Sequence, residues 1–196
     1  MDLRKERDYM LSALMFYTRI PCPSWGDYTD ESLNKSRKYF PLMGWVVGGI
    51  AIIVYLLTHV VLPASAALLL SMAATIYATG AFHEDGFADT CDAFGGGWTK
   101  EQILIIMKDS RIGTYGTVGV AMLLAIKFAA LWELQKVSEI LLLITVFNGH
   151  PLSRFIASTV VQSEDYVQDI DQSKIKPIAT RRLSGKEMAF SCLFVI

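Results

Sequence analysis

Four apolar stretches of near-uniform length dominate the chain, and that length decides what it can fold into. A helix needs about 20 apolar residues to cross the hydrocarbon of a bilayer. Residues 42–62 carry no formal charge and only His59 near their far end. Residues 64–82 follow after Pro63 alone, a turn too short to hold a soluble domain, so the two stretches predict a transmembrane hairpin. A third stretch, 113–132, contains Lys127, and a fourth, 140–161, is interrupted by Asn148, His150, Pro151, Ser153 and Arg154. Polar groups inside a membrane are costly unless they face protein or water. His150 and Arg154 are therefore expected to line a cavity, while Lys127 can snorkel outward along its stem. A last apolar run, 188–196, is too short to cross and reads as part of a further span missing from the chain.

The expected fold class is all-α: a polytopic transmembrane helical bundle forming one integral membrane domain over 1–196, with a lipid bilayer as its surroundings. Its expected spans are 42–62, 64–82, 113–132 and 140–161, with a partial span at 188–196 and a cytoplasmic or interfacial segment over 1–41. Composition agrees, since 53% of the 196 residues are hydrophobic and 19% charged, against about 25% charged in a soluble domain. A net charge of −1 removes the basic footprint that nucleic-acid binding needs. Cys22, Cys91 and Cys192 form no CxxC pair, so neither a disulfide framework nor a zinc site is expected, and a reducing environment suits them.

The start of the chain is not a secretory signal, because Arg19 and Pro21 follow the apolar Met10–Thr18 with no small-residue cleavage site. Met10, Leu14 and Tyr17, flanked by Arg4, Lys5, Arg7 and Arg19, suit either an amphipathic helix on the membrane surface or one packed on the core. Positive charge sets the orientation. Seven Lys and Arg lie in 1–41, three in 83–112 and five in 163–187, whereas the alternate connections are nearly bare. All three charged segments therefore fall on one side, expected to be the cytoplasm of an inner-membrane, multi-pass protein. Trp25, Trp45, Trp98 and Trp132 read as interfacial anchors.

Chemistry concentrates in the first of those charged connections, His83-Glu-Asp-Gly-Phe-Ala-Asp-Thr-Cys-Asp92, followed by Gly95, Gly96 and Gly97. Asp85, Asp89 and Asp92 are spaced i, i+4, i+7 and share one stripe of a helix. Stacked carboxylates repel, and a divalent cation relieves them; oxygen-only ligands favour Mg²⁺, or Mn²⁺, over zinc or copper. Mg²⁺ commonly completes its shell with phosphate oxygens, which implies a phosphate ester or anhydride substrate. A solvated acidic helix face is the alternative. Farther along, Lys108, Ser110, Arg111, Gly113 and Thr114 precede a helix, where backbone N–H groups and the two cations suit phosphate oxygens, and Asp109 can complete the metal shell. A cationic collar anchoring a membrane helix is the plainer reading.

Four ordered strings, Phe16-Tyr-Thr-Arg-Ile-Pro-Cys-Pro23, Tyr39-Phe-Pro-Leu-Met-Gly44, the acidic segment 83–92, and Met107-Lys-Asp-Ser-Arg-Ile-Gly-Thr-Tyr-Gly116, closely resemble the cobalamin synthase (adenosylcobinamide-GDP ribazoletransferase) family. The resemblance extends to Ser173-Lys174 and Lys176-Pro177. It implies an inner-membrane enzyme that joins adenosylcobinamide-GDP to α-ribazole or its 5′-phosphate, releases GMP and uses Mg²⁺. Carried onto this chain, Glu84, Asp85, Asp89 and Asp92 are the metal-binding acids, with Lys108, Asp109 and Arg111 beside them. Members of the family usually continue through further helices, so the chain is expected to be a shortened form, able to hold metal yet slow to turn over if those helices wall the corrinoid site. A homo-oligomer, or a complex with other cobalamin-assembly enzymes, is the expected partner state.

Displacement at the phosphorus nearest cobinamide needs negative charge neutralised by metal, Lys108 and Arg111. The attacking hydroxyl needs a proton acceptor, for which His83 or Asp92 is the candidate, His83 also reading as a cap at the helix start. Arg154 supplies either a second phosphate contact or a snorkelling charge beside a kink at Pro151. Tyr166, Ser173, Lys174 and Lys176 either touch substrate or belong to a solvated loop. Two other functions compete. A CDP-alcohol phosphotransferase shares the logic of the acidic pattern, but no Ala-Arg pair follows the Asp-Gly here. A transporter would use Lys127, His150 and Arg154 as pathway residues and calls for acids deep within the spans.

Overall fold

A computed structural model describes residues 2–23, 25–26, 28–165 and 181–195. Apolar runs of bilayer length satisfy their backbone polar groups within the segment only as helices, and the described residues are helical with no strand. In chain order these are α1 (Leu3–Tyr17), α2 (Asp30–Ser36), a 3₁₀ turn (Arg37–Tyr39), α3 (Phe40–His59) and α4 (Ala64–Thr79). There follow α5 (Phe82–Gly96), α6 (Lys100–Ile106), α7 (Thr114–Val137), α8 (Glu139–Ser163) and α9 (Gly185–Cys192).

Among the described residues three helical stretches are long and apolar enough to cross a membrane: 30–59, which includes α3, then α7 and α8. Helix α4 has only 16 residues. It makes a fourth crossing only if joined to α5, across a bend of 87°. The second expected span, 64–82, is thus shorter than its composition implies, because the chain turns at Gly80 and Ala81 before the apolar run ends. Outward-facing side chains fit lipid: on α7, Val118, Met122 and Ile126 form an exposed stripe at helical spacing.

Helix α3 packs chiefly against α8 and α4, and α7 closes the fourth side of the bundle. The α3–α8 approach is close at Gly44, where a Cβ would overlap the backbone of Pro151. Pro151 sits inside α8, which continues unbroken on both sides of it. Two apolar clusters lie at opposite ends of the bundle. One joins Tyr9, Ala13 and Tyr17 of α1 to Tyr39, Phe40 and Met43, with Phe190 and Phe194 packed on it. The other joins Tyr55, Ala67, Leu68 and Leu142, with Phe128, Leu131 and Trp132 against it. Helix α1 is therefore packed on the bundle through Tyr9, Ala13 and Tyr17, while Met10 stays exposed. Trp45, read as an interfacial anchor, stacks on Phe147 of α8.

Polar ties hold the α1 end together. Glu6 pairs with buried Lys38 at 2.6 Å and accepts a hydrogen bond from Tyr39 at 2.8 Å. Arg37, also buried, donates to Gln162 at 3.0 Å, and Gln162 in turn donates to the Leu183 carbonyl, fastening the segment before α9 to the end of α8.

Candidate active site

The turn between α4 and α5 sets the site. Gly80 adopts φ +66° without steric penalty, but Ala81 at φ +58° holds a left-handed conformation that costs about 1 kcal/mol for a residue with a Cβ. The bend of 87° turns α5 away from the line of α4 and packs it on α7, with His83 and Glu84 of its first turn toward the interior. His83 and Glu84 line an internal cavity, and Asp85 and Asp89 do not.

Asp92 lies where α5 meets the start of α7. Its Oδ2 accepts from Gly113 N–H at 2.7 Å and its Oδ1 from Gly116 N–H at 2.8 Å. Gly113 brings no side-chain cap to α7, so the Asp92 carboxylate supplies one and opposes the positive end of that helix. A Cβ on Gly113 or Gly116 would overlap the carboxylate, which explains two glycines at that spacing. The N–H of Gly113, expected to meet phosphate, is given instead to Asp92.

Asp109 and Arg111 form an exposed pair: Arg111 Nη2 donates to Asp109 Oδ2 at 2.7 Å, Nε to Oδ1 at 3.0 Å, and the Arg111 N–H closes the turn on Oδ1. Hydrogen bonds to Asp109, reinforced by its charge, raise the Arg111 guanidinium above its ordinary pKa. Ser110 is exposed beside them. Lys174, with Tyr166, Ser173 and Lys176, lies outside the described residues.

Among the described residues no three His, Cys, Asp or Glu side chains converge on a common metal position. The expected acids divide among four surroundings, three of them occupied by a single acid. Glu84 faces the cavity, Asp92 bonds the start of α7, and Asp109 bonds Arg111. Helical spacing does place Asp85, Asp89 and Asp92 on one face, but α7 covers the Asp92 end of it. Asp85 and Asp89 stand one turn apart on α5. A pair of carboxylates fits Mg²⁺ as it is usually bound, with water and substrate phosphate completing the octahedron; it does not fit an all-protein cage.

Inside the bundle lies a cavity of about 270 Å³ lined by His83, Glu84, Lys127, His150 and Arg154, with Phe40, Thr75 and Thr79 among its other walls. Arg154 is 4% exposed. Its Nη1 donates to the His150 carbonyl at 3.0 Å, and its guanidinium lies 5.8 Å from the Phe40 ring centre. Arg154 Nε and Glu84 Oε2 are both buried without a hydrogen-bond partner. His150 and Arg154 thus line a cavity as their cost in hydrocarbon requires. Lys127 turns inward to the same cavity instead of snorkelling. Sequence reasoning missed the α4 wall, although Ser71, Thr75 and Thr79, polar and buried at four-residue spacing in an apolar segment, carried its signal.

These features define a class: a helical protein of membrane-crossing composition, with acids on a helix that follows a sharp bend and cations in a cavity that its first turn lines. Residues 9–196 match the family model for cobalamin-5-phosphate synthase, and the chain belongs to that family. It is 50% identical over 167 residues to a Shewanella frigidimarina protein named adenosylcobinamide-GDP ribazoletransferase, covering 85% of this chain and 64% of that one. A protein of the same name from Shewanella woodyi is 46% identical over 177 residues, covering 90% of this chain and 69% of its own length. The chain thus spans about two thirds of the length of these relatives. No solved structure matches.

Proposed function

We propose that this chain catalyses the attachment of α-ribazole, or its 5′-phosphate, to adenosylcobinamide-GDP with release of GMP, a late step of cobalamin assembly. The observation that carries the reading is the family match over residues 9–196, which includes the acidic helix and the cation-bearing segment after it. In the reaction the acceptor hydroxyl oxygen bonds to the phosphorus nearest cobinamide, the bridging bond to GMP breaks, and the hydroxyl proton passes to a base.

Asp85 and Asp89 would hold Mg²⁺, with Mn²⁺ as a substitute; the ion supplies charge neutralisation on the phosphoryl oxygens. Lys108 and Arg111 bind the diphosphate and balance charge on departing GMP, and Ser110 adds a hydroxyl contact. Asp109 orients Arg111 through their paired hydrogen bonds. His83, at the cavity mouth with its ring against Phe40 and Phe82, takes the acceptor proton. Asp92 positions the start of α7 relative to α5. Glu84 serves the cavity and not the ion.

The protein sits in the inner membrane with α5 and α6 at the cytoplasmic side, a placement supported by the distribution of Lys and Arg. One assay tests both activity and orientation. Inverted and right-side-out vesicles bearing the chain are given Mg²⁺, adenosylcobinamide-GDP and α-ribazole 5′-phosphate, or a CDP-lipid and an alcohol. GMP release by inverted vesicles alone is expected. CMP release from the CDP-lipid would replace this reading with a phospholipid-forming one, and no product in either mixture would reject it.

A further inference from the structure

Beside the charged cavity lies a second one of about 350 Å³, lined by residues of α3, α4, α7 and α8. Thr75, Lys127, His150 and Ser153 line both. The second chamber is mainly apolar, with walls from Ala51, Tyr55, Leu68, Leu131 and Leu142. The two spaces adjoin across the four shared residues, the one charged near α5 and the other apolar toward the far end of the bundle. The size of the second falls in the range of about 300–1,000 Å³ used by small-molecule sites.

The polar groups of these spaces select the ligand. Two basic side chains, Lys127 and Arg154, share the charged chamber with a single carboxylate, Glu84, so basic groups outnumber acidic ones there. The hydroxyls of the charged chamber are already committed as donors: Thr75 to the Met72 carbonyl, Thr79 to the Thr75 carbonyl and Ser153 to the His150 carbonyl. Recognition of an anion therefore falls to Arg154, whose Nε is buried without a partner, and to Lys127. A guanidinium edge with an open N–H suits an oxyanion, and an enclosed cation without one is costly.

We propose that the adjoining chambers bind an amphiphilic phosphate monoester, its phosphate on Arg154 and Lys127 and its flat or oily portion in the apolar chamber. Under the function proposed above, on which this inference rests, the aqueous source of that chemistry is the phosphorylated acceptor, whose phosphate takes no part in the bond exchange. The bilayer is the other source, through a lipid with a monoester headgroup. The site is separate from Asp85 and Asp89 and needs no metal.

The test uses the full chain in nanodiscs of zwitterionic lipid with EDTA, titrated calorimetrically with α-ribazole 5′-phosphate and with α-ribazole. The phosphorylated ligand is expected to bind about tenfold tighter or better. Arg154→Met and Lys127→Met should each erase that difference while leaving α-ribazole binding in place. Arg154→Lys, which keeps the charge, should retain part of it and guards against a folding defect. Ile52→Trp, which fills the apolar chamber, should weaken both ligands alike. A parallel arm titrates phosphatidic acid into the same nanodiscs. Binding lost in Arg154→Met supports the site with a lipid source if phosphatidic acid shows it, and with an aqueous source if the nucleotide does. Equal binding by wild type and both Met variants in every arm overturns the proposal. GMP release is measured separately. A chain that turns over without phosphate discrimination keeps the proposed function and loses this site; one that discriminates without turnover does the reverse.

Discussion

Helix α5 carries carboxylates into two unlike surroundings, and the contrast separates groups able to work on solvent-borne phosphate from groups fixed by the fold. Asp85 lies on its exposed side, where a carboxylate is cheaply hydrated and a metal ion can exchange. Glu84, one residue earlier, is turned into the bundle with Lys127 and Arg154, and one of its oxygens has no partner. In low dielectric each such group is expensive when unpaired and strongly felt by its neighbours. Under the proposed function the rim acids hold a replaceable ion, and under the further inference the interior cations hold a ligand.

The largest expected effect falls on the rim. Asp89→Asn keeps size and helix propensity and removes charge, so folding and membrane insertion should persist while Mg²⁺-dependent GMP release falls at least about a hundredfold, the upper range seen for outer-shell partners of a metal. An unchanged rate would remove Asp89 from the metal and erase the functional half of the comparison. Asp92 sharpens the boundary between the halves. Asp92→Ala leaves the N–H groups of Gly113 and Gly116 without their acceptor, and should lower stability by about 1–2 kcal/mol, read as a fall in the thermal midpoint in detergent. Asp92→Asn, whose amide oxygen still accepts one bond, should recover part of that loss. Were Asp92→Asn instead to keep its midpoint and lose Mg²⁺ dependence, Asp92 would belong with the ion.

The residues that sequence pattern placed well are those whose position follows from local period. Apolar run length located α3, α7 and α8 to within a few residues, and the i, i+4, i+7 acids do share a helix. What escaped depends on contacts distant in the chain. Nothing local marks Ala81 as left-handed, so apolar run length alone extends the second span past the bend that ends α4. Nor does period say which neighbour will cover a face, and the partners of Asp92 lie 21 and 24 residues away. The spacing of Gly113 and Gly116 carries a hint, since it leaves room for the Asp92 side chain. Lys127 shows the same limit: a lone Lys in an apolar helix snorkels or turns inward according to what the other helices leave open, and here α4 and α8 leave a cavity.

The smallest expected effect lies at the Glu6–Lys38 pair, where an enclosed cation does have its counter-ion. Partial burial raises the Glu6 pKa, but hydrogen bonds from Lys38 and Tyr39 outweigh burial and the repulsion of Glu187, leaving it below the ordinary glutamate value. The unfolded chain therefore binds a proton more readily than the folded one, and stability rises with pH across that interval. The contribution is complete above the ordinary carboxylate value and is lost as pH falls through the lowered one. Thermal midpoints measured against pH should decline on acidification less steeply in Glu6→Gln than in wild type, with the two curves closest at the acid end. Parallel curves at all pH values would mean that Lys38 is held by the Tyr9, Tyr39 and Phe190 rings around it and not by charge. The distinction between satisfied and unsatisfied buried cations would then have to be drawn from Arg154 alone.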